Sequence, residues 1–159
     1  MKNLLPILLL LLCAAGKAQL KNSGNLQVYS GASMTSFGDI TNSGTLLNNG
    51  TVYLKGNLSN SQLSMSAGSG TLQFNGSSAQ AVNGTQQFKT FNLITSNAAG
   101  ITLNNNLSVS GTHTFSSGVI TASANYLVYE AGSSYTGDND SRHVNGWVKK
   151  FGTTNFAFP

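Results

Sequence analysis

The chain has 159 residues and a formal net charge of +4 at pH 7, from eight Lys or Arg and four Asp or Glu. Two of the lysines, Lys2 and Lys17, precede residue 19, so the remainder carries +2 and only Lys149 and Lys150 are adjacent. This small and scattered excess of cations excludes the clustered basic face of a nucleic-acid-binding protein. Gly, Ser, Thr and Asn dominate the composition, which disfavours helices with charged outer faces.

A cleaved secretory signal peptide is predicted for residues 1–18. Lys2 provides the positive start, residues 4–15 form the apolar run, and Gly16 and Ala18 put small residues at positions −3 and −1 before Gln19. The run is about 12 residues long, whereas a spanning helix needs about 20. We therefore expect no transmembrane segment after cleavage and a secreted, extracellular or outer-cell-surface location.

Cys13 allows a second interpretation, a lipoprotein signal. The residue before a lipidated cysteine should be small, and here it is Leu12. Since Cys13 is the single cysteine, cleavage before Gln19 leaves a chain that depends on burial and backbone pairing rather than disulfides.

Apolar residues alternate with polar ones in short runs along residues 20–135, which is the pattern of half-buried strands. Each run lasts three to five residues before Gly, Asn or Ser, residues suited to corners. The alternating pairs are Leu26 and Val28, Val52 and Leu54, Leu72 and Phe74, Phe91 and Leu93, Ile101 and Leu103, and Leu107 and Val109.

A degenerate Gly-Thr repeat opens many of these runs, at residues 44, 50, 70, 84 and 111. Very short strands with polar corners favour an all-β, right-handed parallel β-solenoid (β-helix), whose coils bury their apolar residues only by stacking. At about 20 residues a coil, residues 20–135 make about six coils and a rod of roughly 30 Å. A β-sandwich is the alternative, but the Asn-rich corner at residues 104–106 suits asparagine ladders along stacked coils.

Two stretches, NSGTLLNNGTVYLKGNLSN (residues 42–60) and residues 70–129, resemble the β-helical repeat regions of large secreted surface proteins of Bacteroidetes. The closing VNGWVKKFGTTNFAFP resembles the segment that follows such regions, where Gly-x-Val-x-Lys leads to Phe-x-Phe-Pro. The resemblance implies export by the type IX route and a C-terminal sorting domain, which this sequence lacks. We therefore expect an N-terminal fragment of a longer protein whose downstream domain is missing.

The predicted organisation is a signal peptide at 1–18, a β-solenoid repeat region at 19–135, and an end cap or junction at 136–159. In the last segment, we expect Val144, Trp147 or Val148, Phe156 and Phe158 to cover the open end of the rod.

Few residues are candidates for chemistry. His113 shares strand parity with Phe115 and is expected inside the rod or at its edge, without an adjoining base or carboxylate; His143 is expected on a solvated turn. Asp138 and Asp140 form the one acidic cluster, but a calcium loop needs further ligands, and Arg142 repels a cation.

Polysaccharide lyases and hydrolases on β-helices use clustered acids, whereas Asp39 and Glu130 are far apart in the sequence. We accordingly predict a non-enzymatic chain with no catalytic, cofactor-binding or metal-binding residues and no cofactor.

The predicted function is a structural stalk, spacer or adhesin-like scaffold, with surface glycans, cell-envelope components and further domains of the same chain as partners. Glycan binding is the alternative, since exposed aromatic rings stack on sugars. The candidate rings are Tyr53, Tyr126, Tyr129 and Tyr135. A fragment of a polysaccharide-active β-helix enzyme is the second alternative.

Overall fold

A computed structural model describes residues 18–153 and 155–159, so the predicted signal peptide lies outside the described residues except for Ala18. Within these ranges the regular secondary structure consists of strands, and no helix there is long and apolar enough to cross a membrane. The strands are β1 Leu20–Asn22, β2 Asn25–Val28, β3 Ser33–Ser36, β4 Ile40–Asn42, β5 Thr45–Asn48, β6 Thr51–Leu54, β7 Leu58–Asn60, β8 Thr71–Phe74, β9 Gln80–Gly84, β10 Phe88–Thr90, β11 Asn92–Ser96, β12 Ile101–Leu103, β13 Leu107–Val109, β14 Thr112–Ser117, β15 Ile120–Tyr129, β16 Ser134–Thr136 and β17 Val144–Lys150.

The chain visits three sheet faces in turn and then repeats the circuit one coil further along. The first face contains β1, β4, β7, β9, β12 and the start of β15 and β17; the second contains β2 and β5, then β10, β13 and the ends of β15 and β17. The third face contains β3, β6, β8, β11, β14 and β16. Every strand pair is parallel, so the fold is a parallel β-solenoid and the β-sandwich alternative is wrong.

The number of residues in each coil is the sequence separation between register partners on the first face. Leu20 pairs with Ile40, Ile40 with Leu58, Leu58 with Val82, and Val82 with Leu103. Residues 20–136 make six complete coils, as predicted for the repeat region, and β17 adds a partial seventh. This strand belongs to the segment predicted as a cap, and the domain boundary near residue 135 stays a prediction.

The apolar side chains of the alternating strands fill the interior. Val52, Leu72 and Leu93 lie in one column of the third face, because they are register partners on consecutive coils, and all three are buried. The inward placement predicted for Phe91 is wrong: its ring is exposed because it precedes β11 and lies at a corner, where strand parity does not apply.

Buried asparagines form a ladder at the corner between the first and second faces, as the solenoid interpretation predicted. Asn22 Nδ2 donates to Asn42 Oδ1 at 2.7 Å, and Asn42 Nδ2 donates to Asn60 Oδ1 at 2.8 Å. At the predicted corner, Asn104 Nδ2 donates to Asn83 Oδ1 at 2.8 Å, on the exposed side of the rod. Side-chain amides thus continue the pairing of the backbone along the rod axis.

The second face is interrupted in the third coil. On this face no strand of the third coil lies between β5 of the second coil and β10 of the fourth. Side chains there replace the missing backbone pairing. Gln62 Oε1 accepts the Leu46 backbone N–H at 2.9 Å, and Met65 Sδ accepts the Lys89 backbone N–H at 3.5 Å. Met65 is buried, while Leu63 points into solvent. The third coil therefore contributes a buried side chain to the core on this face although it has no strand there.

Candidate functional site

His113 lies inside the rod, as its strand parity predicted. It has no exposed surface, and its Nε2 is 2.8 Å from Thr95 Oγ1 while its Nδ1 is 2.7 Å from Tyr129 Oη. Burial lowers the pKa of His113 to about 3, because the charged imidazolium would lose its hydration. A neutral ring that no solvent reaches is a hydrogen-bonded core residue and is not available to a substrate.

Tyr129 and Tyr135 do not form the exposed aromatic surface predicted for them. Tyr129 is fully buried on the far side of His113, and Tyr135 packs against the core, with its ring centre 6.0 Å from that of Tyr129. Burial raises the pKa of Tyr129 far above its usual range, and Tyr135 and Asp138 add to this. Tyr126 remains exposed and Tyr53 is half-buried on the outside of the third face.

The chain end covers part of the C-terminal end of the rod. Phe156 packs on Tyr129 at 5.0 Å and on Tyr135 at 5.3 Å between ring centres. Lys150 Nζ donates to the carbonyl oxygens of Glu130 and Ser133, each at 2.8 Å. The predicted covering role is therefore correct for Phe156.

Val144 and Val148 also pack on the interior, so Val148 and not Trp147 takes the inward position of the predicted pair. Trp147 is 60% exposed and Phe158 is 63% exposed. Both remain largely in solvent, although Phe158 contacts Phe156 at 5.5 Å between ring centres.

The acids of the rod lie on different coils. Asp39 begins the second coil, where its Oδ1 accepts the Asn57 N–H at 2.7 Å; Glu130 is in the sixth coil, where its Oε1 accepts the Ser108 hydroxyl at 2.6 Å. Four coil steps of about 4.8 Å separate them along the axis. They cannot act as a carboxylate pair on one bond, which matches the expectation from their separation in the sequence.

The acidic turn between β16 and β17 is held by its own backbone. Asn139 and Arg142 exchange N–H to carbonyl hydrogen bonds of 2.9 and 3.0 Å, and Asn139 Oδ1 accepts the Ser141 hydroxyl at 2.9 Å. Arg142 Nη1 donates to the Ser116 carbonyl oxygen at 3.2 Å. Within the described residues no group of three His, Cys, Asp or Glu side chains is placed to hold a metal ion.

Two adjoining depressions occupy this end of the molecule. The acidic depression is lined by Asp138, Asn139, Asp140, His143 and Pro159, and measures about 360 Å³. The tip groove, also about 360 Å³, is lined by Val144, Gly146, Trp147, Val148, Phe158 and Pro159. They meet at Pro159. His143 is half-buried here rather than fully solvated, and its Nδ1 has no hydrogen-bond partner within the described chain.

No known protein family, curated protein or solved structure matches the chain. The class of protein that the fold defines is a parallel β-solenoid of stacked short coils. The likeness to surface proteins of Bacteroidetes therefore depends on the sequence stretches alone.

Proposed function

We propose that this chain is a non-enzymatic, secreted or cell-surface scaffold, acting as a stalk, spacer or adhesin-like rod. The observation that carries the proposal is the uninterrupted stacking on the first face, from β1 to β17, above a continuous apolar interior. Each coil contacts its neighbours through backbone pairing, so the rod resists bending and its length grows with coil number.

The low charge and hydroxyl-rich surface support work outside the cell as a passive spacer. The strands expose Ser, Thr and Asn on their outer sides, and the few acids lie on separate coils or in the exposed turn. Export through the outer membrane by the type IX route, and a partner domain held by the rod, belong to the same proposal and derive from the resemblance.

The location is tested on the cells that make the protein. We expect mass spectrometry of the purified product to find Gln19 as the first residue. We also expect protease added to intact cells to remove the rod, detected by an antibody against residues 70–129. A periplasmic protein serves as the control for cell integrity. A product that retains Met1, or that is degraded only after lysis, would contradict the proposal.

A further inference from the structure

Residues 61–70 form the longest connection between strands within the rod. They join β7 to β8, whereas every other connection within residues 20–136 has five residues or fewer. The segment is tied to the second coil at its two ends, by backbone hydrogen bonds of 2.8 Å from the Ser61 N–H and 3.0 Å from the Gly70 N–H. The interior of the rod chain is therefore least covered by strand pairing at this segment.

The positions that face inward after the corner are the same in the coils on either side. The corner residues Asn42, Asn60 and Gly84 are register partners on consecutive coils. In the second coil the buried Leu46 follows Asn42 by four positions, and in the fourth coil the buried Phe88 follows Gly84 by four positions. An inward side chain is thus expected four positions after Asn60 as well.

The third coil has its apolar residues at the wrong positions for this register. Ser64 is four positions after Asn60, while Leu63 and Met65 are three and five positions after it. A strand in register would bury Ser64 and expose both apolar side chains. The segment instead leaves the sheet, which buries Met65 and leaves Leu63 82% exposed. This offset becomes apparent only from the register of the coils.

Leu63 is the most exposed of the large hydrophobic side chains within the described residues. Residues 56–88 contain no charged side chain, so a protease that selects Lys, Arg, Asp or Glu has no site there. An enzyme with an apolar specificity pocket meets Leu63 in an exposed connection of small polar residues, the kind of segment that proteases cut. Tyr29 and Phe37 are also exposed, but they lie in connections of four and three residues between paired strands.

We propose that residues 61–70 are a proteolytic processing site, at which a protease with an apolar specificity pocket hydrolyses the peptide bond between Leu63 and Ser64. Water adds across the bond: its hydroxyl group goes to the Leu63 carbonyl carbon and its proton to the Ser64 nitrogen.

The two pieces remain joined after such a cut. Strand β6 of the first piece pairs with β8 of the second, and β7 of the first pairs with β9 of the second. The cut therefore replaces a covalent stalk by one held together through sheet pairing and core contacts, which denaturant can separate. A rod can act as a spacer whether or not it is cut, so this proposal and the proposed function fail independently.

Limited digestion of the folded chain with chymotrypsin, whose specificity pocket is an apolar slot, tests the site. We expect the first cut within residues 20–136 to fall after Leu63, identified by mass spectrometry of the fragments, although Tyr29 and Phe37 are exposed aromatic residues. A denaturing gel should show two fragments, while size-exclusion chromatography without denaturant should show one species of the size of the uncut chain.

Three variants link the cut to the structure of the segment. Leu63→Ser removes the side chain that enters the pocket and should slow the cut at least about tenfold. Inserting one glycine between Ser61 and Gln62 keeps the leucine but moves it to the inward position, four after Asn60, so a strand should form and the cut should be lost. Tyr29→Ser is the matched control, because it removes an exposed aromatic residue from a short connection, and the cut after Leu63 should keep its rate. Circular dichroism verifies that each variant folds.

Three results would overturn the proposal. One is a first cut at another connection of the rod while the bond between Leu63 and Ser64 stays intact. Another is a folded Leu63→Ser or glycine-insertion variant that is cut in this segment as fast as the unmodified chain. The third is a cut chain that separates into its fragments without denaturant, because the pairing of β6 with β8 and of β7 with β9 would then not hold the pieces together.

Discussion

Asn42 is the central rung of the buried asparagine ladder, and its replacement by Ala tests how much the ladder stabilises the rod. Its side chain is buried and makes three hydrogen bonds: from Asn22 Nδ2 at 2.7 Å, to Asn60 Oδ1 at 2.8 Å and to Gln62 Oε1 at 3.0 Å. Asn42→Ala removes all three and inserts no new polar atom.

The magnitude follows from what the three partners retain. Asn22 Nδ2 still donates to the Thr45 carbonyl oxygen, Asn60 Oδ1 still accepts the Gln62 N–H, and Gln62 Oε1 still accepts the Leu46 N–H. No partner is left wholly unpaired, so the loss is near the net value of three buried hydrogen bonds. At about 1 kcal/mol each, the free energy of unfolding should fall by about 3 kcal/mol.

Urea unfolding followed by far-ultraviolet circular dichroism measures this change. The matched control is Asn104→Ala, which removes one exposed ladder bond to Asn83 and should cost about 1 kcal/mol or less. Asn42→Asp should destabilise more than Asn42→Ala, since a buried carboxylate would face the acceptor oxygens of Asn60 and Gln62. Equal stability of Asn42→Ala and Asn104→Ala would refute the reasoning.

Three further predictions concern the core, its histidine and its coil contacts. Leu103→Ala removes a buried side chain and should cost about 2 to 5 kcal/mol, whereas the exposed Leu63→Ala should stay within about 0.5; an unchanged melting temperature for Leu103→Ala would contradict this. The pKa of His113 falls to about 3 on folding, so the neutral ring stabilises the folded state fully above pH 6.5. Between pH 6.5 and 3 this contribution to the free energy of unfolding is lost, at up to about 1.4 kcal/mol per pH unit. His113→Phe should have a shallower pH dependence of the unfolding free energy over that range, and an identical slope would show that another group governs it. Gly84→Ala should destabilise strongly, because φ is +116° and the added Cβ would collide with the Asn60 carbonyl oxygen, whereas Gly24→Ala meets open space; similar urea midpoints for the two would exclude that collision.

The period-two pattern predicted the fold because every coil places alternate side chains of its strands in the interior. Val52 and Leu54, Leu72 and Phe74, and Ile101 and Leu103 all face inward as predicted, since a strand side chain has just two directions. The pattern failed for Phe91 because it precedes its strand.

The pattern also could not reveal the missing strand of the third coil. Gln62 and Met65 replace it through contacts with Leu46 and Lys89, residues 16 and 24 positions away. Such contacts depend on which coils become neighbours, and no local feature of the sequence records that.

The tip was predicted less well than the rod, for a related reason. Tyr129 looks like a surface residue in the sequence, but its hydroxyl meets His113 from the preceding coil and Phe156 covers its ring. Trp147 and Val148 are neighbours with opposite directions, and Val148 has the same strand parity as the buried Val144. Alternation along β17 therefore indicates Val148 as the inward residue of the pair.

The claim that the chain is a stiff rod of stacked coils is tested most directly by distances along one column of the third face. Thr35, Tyr53, Gln73, Ile94, Thr114 and Thr136 are consecutive register partners with outward side chains. Spin labels on Cys at 35 and 114, and at 35 and 136, are compared by pulsed electron paramagnetic resonance in a chain with Cys13 replaced by Ser. Four and five coil steps of about 4.8 Å predict backbone separations of about 19 and 24 Å.

Because both pairs share the label at position 35 and the same outward column, their distances should be narrow and should differ by about one coil spacing. Broad distributions, or a second distance no longer than the first, would contradict the rod.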